Sequence, residues 1–221
     1  MQPRFSPIHL ILFIFALGML LAFIQVGLLT IAFEKLGVSR ESAFLLLFSS
    51  LFGSLLNLPL FTIRAEAPMQ PMPHNIWRLL RQNHLVFEGK TTIAVNVGGC
   101  LIPLVFCLYL ITAKSLNPLH LIMGISVVSI ASYFSSRPIH GLGIGMPILV
   151  APLCAAIVAV ILDAGNSAPL AYISGTMGVL IGADILHLKD IRKMGTPIAS
   201  IGGAGTFDGI FITGIVAVLL A

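Results

Sequence analysis

Seven long apolar stretches, separated by polar connections, constrain this chain more than any other feature. A helix needs about 20 apolar residues to cross the hydrocarbon core of a bilayer. Backbone amides and carbonyls find no partners in lipid, so a segment that crosses it must satisfy them internally, as a helix does. The stretches that fit this description cover residues 8–33, 42–63, 92–113, 117–134, 141–162, 168–187 and 201–220.

The scarcity of charge indicates the same class of protein. Hydrophobic residues make up 57% of the 221 residues and charged residues only 9%, whereas a soluble domain carries about 25% charged residues. We therefore predict an all-α polytopic membrane protein: a single transmembrane domain over residues 1–221, built as a bundle of about seven transmembrane helices in membrane lipid. The net charge of +4 forms no dense basic run, so we predict no nucleic-acid partner.

The longest connection, residues 64–91, has two parts. The first carries three prolines, which exclude a regular helix. The second places apolar side chains among arginines, which is typical of a short helix on the membrane surface. We interpret the connection as an interfacial loop, with a substrate-gating element as the alternative.

Lysine and arginine counts predict the orientation, because basic residues accumulate on the cytoplasmic side. With seven helices, three basic residues fall on one side, namely Lys35, Arg40 and Lys114. Nine fall on the other side, namely Arg4, Arg64, Arg78, Arg81, Lys90, Arg137, Lys189, Arg192 and Lys193. We predict a multi-pass protein of the cell membrane with its N-terminus in the cytoplasm and its C-terminus outside.

Among the eight acids, only Asp184 and Asp208 lie inside apolar stretches. An ionisable group at membrane depth is costly and is by default a functional hypothesis. A short connection joins the sixth and seventh stretches, so we expect an antiparallel hairpin with both carboxylates on the cytoplasmic side. Their depths differ by about a turn or two, given a rise of about 1.5 Å per residue.

Glycines in both stretches favour close helix contacts. Gly175, Gly178 and Gly182 form a stripe opposite Asp184 on the sixth stretch. This pattern predicts that the sixth helix packs its glycines on one neighbour and presents its acid to the seventh.

Two neighbouring carboxylates suit hydrolysis. They cannot both ionise easily, so the pKa of one rises and the pair shares a proton. One carboxylate then activates a water while the other protonates the carbonyl oxygen, as in aspartic proteases, and no metal or cofactor is needed. We predict Asp184 and Asp208 as the catalytic pair. We assign substrate contact to Gly203, Gly205, Thr206 and Gly209.

This arrangement resembles the presenilin and signal-peptide-peptidase class of intramembrane aspartyl proteases. In that family the second aspartate belongs to a G-x-G-D motif. The corresponding stretch here, Gly203 to Asp208, reads G-A-G-T-F-D, with the aspartate two residues later. The family's first aspartate follows a tyrosine, whereas Ala183 precedes Asp184 here. The resemblance covers residues 160–221 and implies cleavage of membrane-spanning peptide substrates.

The whole chain also resembles a family of uncharacterised membrane proteins of archaea and bacteria. The segments that carry this resemblance are NVGG at 96–99, GADIL at 182–186 and GGAGTFDG at 202–209. This resemblance implies an archaeal or bacterial source, but it implies no particular activity.

Other interpretations of the same acids stay open. Paired carboxylates, with Asn57, Asn96 and glycine-broken helices, also fit the cation or proton site of a small transporter. A metal site is a further alternative, because Asp184 and His187 are three residues apart on one helix face and Asp208 completes a ligand set.

A purely structural role is the last alternative. Asp184 would then pair locally with His187 or Lys189, and Asp208 would accept hydrogen bonds from glycine amides. Tyr172 and Thr206 are also candidates for a hydrogen bond to an aspartate.

Overall fold

The computed structural model describes residues 27–66, 89–139, 143–203 and 209–221. The seven α-helices in these ranges are α1 (27–35), α2 (Arg40–Gly53), α3 (Ile102–Ala113), α4 (Pro118–Ser135), α5 (Val150–Leu162), α6 (Ser167–Val179) and α7 (Gly209–Leu220). The strands are β1 (Asn57–Arg64), β2 (Lys90–Asn96), β3 (Arg137–Ile139), β4 (Gly143–Gly145) and β5 (Ile198–Ile201). Single-turn 3₁₀ helices occur at Ala164–Asn166 and Asp190–Lys193.

Helices dominate as predicted, but the all-α class needs correction, because a three-stranded sheet joins three distant parts of the chain. β2 lies in the middle, antiparallel to β1 and parallel to β5. The β1–β2 register pairs Arg64 with Lys90 and shifts between Pro59 and Phe61. Proline lacks an N–H to donate, so an edge strand such as β1 tolerates it.

The sheet begins inside two stretches that were predicted as continuous helices. In the stretch 42–63, α2 ends at Gly53 and the chain continues as β1. In the stretch 92–113, the β-branched run from Thr91 to Ile93 forms β2 before the helix starts. An apolar run has the same composition in a buried strand and in a buried helix. β-Branched side chains favour the strand here, because they fit a pleated surface.

Two of the helices carry a wider π-helical turn at one end. Val97–Leu101 leads into α3, and Leu180–Ile185 continues α6. Such turns are rare and concentrate at functional sites. The first one rests against α2, where the Ser50 hydroxyl donates a 2.5 Å hydrogen bond to the Gly98 carbonyl.

α6 is the central helix, with ten of its residues buried against α4, α5 and α7. A Cβ on Gly178 would lie 2.6 Å from the Val128 side chain of α4, and one on Gly182 would overlap the Ser129 carbonyl. These two glycines therefore meet one neighbour, as predicted. Gly175 instead lies against α7, where a Cβ on it would be 3.3 Å from the Thr213 side chain.

The turns between helices collect at two opposite ends. The Lys35 ammonium, at the end of α1, donates to the Val218 and Leu219 carbonyls at the end of α7, both at 3.3 Å. The Ser167 hydroxyl at the start of α6 donates to the Ala221 carbonyl at 3.2 Å. We call this the Lys35 end. The three-stranded sheet lies at the other end, which we call the sheet end.

Two helical segments in the described ranges are long and apolar enough to cross a membrane by length and composition. They are Pro118–Ser135, which is α4, and Ala164–Ile185, which contains α6. Val97–Ala113 and Val150–Leu162 are shorter apolar helices. The sheet accounts for part of this difference from the prediction, because it takes residues from the ends of predicted spans.

Candidate functional site

Asp184 lies in the π-helical turn that ends the α6 helix, at the sheet end. Its side chain is half-buried, and its Oδ2 accepts a hydrogen bond of 3.3 Å from the Gly202 N–H. Gly202 directly follows β5. The carboxylate of the sixth helix is therefore fixed to the segment that leads into α7.

Gly202 must be glycine for two independent reasons. Its φ of +82° and the +86° of Gly203 lie in the left-handed region, which other residues adopt only at a cost. A Cβ on Gly202 would also lie 2.6 Å from the Cys100 Cβ and 2.7 Å from the Cys100 nitrogen. The backbone that binds Asp184 is thus pressed against the π-helical turn before α3. A Cβ on Gly99 would overlap the Gly202 carbonyl from the other side.

Asn96 holds this π-helical turn in place. Its side chain is fully buried. The Oδ1 accepts a 2.7 Å hydrogen bond from the Gly99 N–H, and the Nδ2 donates to the Ser54 carbonyl at 2.7 Å. The same amide also donates to Asn57 Oδ1 at 3.1 Å. Asn96 therefore joins the end of α2, the start of β1 and the turn that touches Gly202.

Ser200 extends the polar cluster toward the surface. Its hydroxyl donates to Asn57 Oδ1 at 2.5 Å. Asn57 is exposed and Ser200 is half-buried. Asn57, Asn96 and Ser200 thus form one hydrogen-bonded group. Ser200 precedes Gly202 by two residues, so this group lies beside the segment that binds Asp184. The sequence suggested Asn57 and Asn96 as part of a transporter's ion site, beside glycine-broken helices. It carried no comparable signal for Ser200, which β5 brings to Asn57 from 143 residues away.

The predicted catalytic pair falls only partly within the described ranges. Asp184 lies there, whereas Asp208 and the substrate-contact candidates Gly205 and Thr206 lie outside them. Gly203 follows the Gly202 amide that binds Asp184, and Gly209 opens α7. The proximity of Asp184 to Asp208 therefore stays a prediction.

His187, the candidate metal ligand, uses one of its two ring nitrogens in a hydrogen bond. Its Nδ1 lies 3.1 Å from the Gly182 carbonyl, an acceptor, so this bond places the proton on Nδ1. The ring is buried and lies 4.7 Å from the Tyr133 ring, centroid to centroid. Among the described residues no three metal-binding side chains cluster. A ligand set that includes Asp208 extends beyond the described ranges.

Tyr172 does not reach Asp184. It precedes the aspartate by twelve residues, about 18 Å along a helix, and its ring packs edge-on against Phe106 at 5.0 Å. Its hydroxyl is therefore no candidate partner for the carboxylate. Thr206, the other predicted partner, lies outside the described ranges.

Comparison with known proteins gives a family for this chain. Searches among curated proteins and among solved structures found no significant match. The family model described as "Protein of unknown function (DUF1614)" matches residues 51–220. The matched segment covers well over half of the chain and includes Asn96, Asp184, Gly202 and Asp208. The chain therefore belongs to the DUF1614 family.

Proposed function

We propose that this protein is an intramembrane aspartyl protease, with Asp184 and Asp208 as its catalytic pair. The hydrogen bond between Asp184 Oδ2 and the Gly202 N–H carries the proposal. It ties the carboxylate of the sixth helix to the segment that contains Asp208, six residues after Gly202. The substrate is a membrane-spanning peptide, and no cofactor takes part.

The surface of the described helices supports a location in a membrane. Large apolar side chains stand exposed on several helices, such as Leu45 at 69%, Phe134 at 77% and Ile161 at 76%. Contiguous apolar surface of this kind drives association in water, whereas lipid tails solvate it. The mean hydropathy of +1.05 agrees with this location.

The arrangement of turns supports a seven-helix bundle that crosses the membrane repeatedly. The turns after α1 and α5 contact the last residues of α7, and the turn after α3 contacts the turn after α1 through Lys114 and Gly37. All three turns thus lie at the Lys35 end, as alternating crossings require. The sheet end carries Arg64, Lys90 and Arg137. By the positive-inside rule, we assign the sheet end to the cytoplasm and the C-terminus to the outside.

The sheet offers a way to hold an extended substrate beside Asp184. In the described ranges β5 pairs with β2 on one side only. A peptide that adds to the other edge of β5 gains main-chain hydrogen bonds. The residue after β5 is Gly202, so such a peptide runs past the amide that binds Asp184. Proteolysis needs this extended form, because a helix keeps its peptide bonds internally bonded.

The proposed chemistry uses the two carboxyl groups in opposite protonation states. The ionised carboxylate takes a proton from a water molecule as the water oxygen attacks the peptide carbonyl carbon. The protonated carboxyl gives its proton to the carbonyl oxygen, which forms a gem-diol. Collapse of the diol breaks the C–N bond. The carboxyl that took the water proton gives it to the leaving nitrogen, and one diol hydroxyl returns its proton to the other carboxylate. The pair then returns to its starting state.

A cleavage assay tests the proposal. The full-length protein in liposomes, given a panel of labelled transmembrane peptides, is expected to cut at least one of them. Asp184→Asn and Asp208→Asn should each lower the rate by roughly a thousandfold or more. Asp163→Asn is the matched control, since Asp163 caps the 3₁₀ turn beside Asn166 at the Lys35 end. Its rate should stay within about twofold of wild type.

Proton-coupled or cation-coupled transport is the second candidate, and the broken backbone at the sheet end favours it. Strand, π-helical turn and glycine turn meet there around Asn96 and Asp184. Transporters build ion sites from such discontinuous helices. A pH-sensitive dye inside the same liposomes reports proton flux. Absence of cleavage, together with proton flux that Asp184→Asn abolishes, would replace the protease with the transporter.

A further inference from the structure

We propose that the groove between α2 and α3 binds one anionic phospholipid, with its phosphate at Lys114 and an acyl chain along the groove. The inference rests on the membrane location in the proposed function but not on catalysis. The groove has a volume of about 640 Å³, within the range of roughly 300–1,000 Å³ that ligand sites occupy. The groove shares no residue with the Asp184 hydrogen bond.

The walls of the groove are apolar over most of its length. Leu46 of α2 faces Leu101, Val105 and Phe106 from the α3 side. From Leu101 to Tyr109 the wall rises by eight residue steps, about 12 Å. One leaflet of the hydrocarbon core is about 15 Å deep. The groove thus has the length for an acyl chain that enters from one membrane surface.

Polar groups mark only one end of the groove. Gly37, Ser39 and Ser42 line it at the Lys35 end, beside the start of α2. The Ser39 hydroxyl donates to Ser42 Oγ at 3.0 Å, so the Ser42 hydroxyl hydrogen remains available to an outside acceptor. A ligand that fits this lining is polar at one end and apolar along its length.

The cation at this polar end points to an anionic headgroup. The Lys114 ammonium lies over the Gly37 turn, so close that a Cβ on Gly37 would be 2.6 Å from it. Its neighbours use their charges elsewhere: Arg40 pairs with Glu34 at 3.3 Å, and Lys35 binds the α7 carbonyls. Lys114 forms no ion pair with any side chain in the described ranges. A half-buried cation gains from an anion, and a lipid phosphate supplies one.

The groove favours a lipid over free phosphate, because a free ion would leave the apolar walls uncovered. The side chains beside the groove continue the same apolar surface, with Leu45 on α2 and Leu108 on α3 exposed at 69% and 57%. The groove therefore opens onto a surface that lipid tails cover in the proposed membrane location.

Native mass spectrometry of the full-length protein in detergent tests this site. The probes are phosphatidylglycerol and phosphatidylcholine with identical acyl chains. The wild type should retain one phosphatidylglycerol at about a tenth of the concentration that phosphatidylcholine needs. Lys114→Gln, which removes the cation, and Val105→Trp, which fills the groove, should each weaken phosphatidylglycerol retention about tenfold, equivalent to about 1.4 kcal/mol. Lys114→Arg should keep it, and so should Lys189→Gln, which removes an exposed cation at the sheet end.

Three outcomes would overturn the site. Equal retention by all variants would mean that the lipid binds elsewhere. Equal retention of both lipids by the wild type would mean that Lys114 does not select an anionic headgroup. Loss in Lys114→Gln without loss in Val105→Trp would mean that the headgroup binds without the groove. The cleavage assay reports separately, so phosphatidylglycerol binding without cleavage would count only against the protease.

Discussion

At the scale of single residues, Asn96 stabilises the backbone around the site although no hydrogen bond joins it to Asp184. It is fully buried, and its amide satisfies the Gly99 N–H and the Ser54 carbonyl at once. Gly99 in turn packs against Gly202, the donor to Asp184. The position of the Asp184 carboxylate therefore depends on an amide three contacts away.

Asn96→Ala tests this dependence through stability. The change leaves the buried Gly99 N–H and Ser54 carbonyl without a partner, and each such group costs about 1–3 kcal/mol. We expect the free energy of unfolding to fall by about 2–5 kcal/mol, measured by denaturant titration in detergent micelles. Asn117→Ala is the matched control, since Asn117 caps α4 at an exposed position and its loss should cost about 1 kcal/mol. Equal losses for the two variants would contradict the role of Asn96.

At the scale of elements, the sequence predicted helices well where one stretch forms one helix. The stretch 117–134 became α4, and the stretch 168–187 became α6 with its π-helical turn. The predictions failed where a stretch changes from strand to helix, as at Asn96. Hydropathy does not record that change, because both forms are apolar.

The candidate site was predictable to a similar extent. The sequence placed Asp184 near one end of the sixth helix, since position along a helix is set by rise per residue, and the structure has it in the π-helical turn that ends α6. Its partner, the Gly202 amide, did not follow, because the bond depends on helix rotation and on the pairing of β5 with β2. That pairing joins Thr92 to Ile198, and no local pattern encodes it.

The π-helical turn before α3 yields a prediction about packing. A Cβ on Gly98 would overlap backbone atoms of Ser50 and Ser54, which cannot rotate away as a side chain can. We expect Gly98→Ala to lower the free energy of unfolding by about 2 kcal/mol or more, in the upper part of the range for overpacking. Thermal unfolding in micelles, followed by circular dichroism, measures it.

Gly165→Ala is the matched control for Gly98→Ala. A Cβ there would have a single neighbour at 3.6 Å, the Asp163 Oδ1, which is ordinary van der Waals contact. Its stability should stay within about 0.5 kcal/mol of wild type. If Gly98→Ala is as stable as Gly165→Ala, then α2 and the π-helical turn are not in close backbone contact.

At the scale of the whole molecule, the two ends of the bundle differ in charge and in architecture. Within the described ranges, the sheet end carries the strands and most of the basic residues, whereas the Lys35 end carries short turns. The proposed orientation puts these ends on opposite sides of the membrane. The Asp184 site and the lipid groove then open toward opposite sides as well.

Labelling of single cysteines tests this orientation. With Cys100, Cys107 and Cys154 replaced by alanine, Ser115→Cys at the Lys35 end should react with a membrane-impermeant maleimide in intact cells. Lys189→Cys at the sheet end should react only after permeabilisation, because the positive-inside rule puts it in the cytoplasm. Both side chains are exposed, so poor access does not explain a missing signal. Labelling of both positions in intact cells would contradict the proposed topology.

The hydrogen bonds from Lys35 to the end of α7 also bear on the order of synthesis and folding. Its ammonium and the two carbonyls are separated by 183 and 184 residues. At translation rates of about 5–20 residues per second, the carbonyls emerge about 10–40 s after the lysine. Contacts of such long sequence separation form late and slow folding. Lys35 and α1 are therefore synthesised well before the end of α7 is available to bind them.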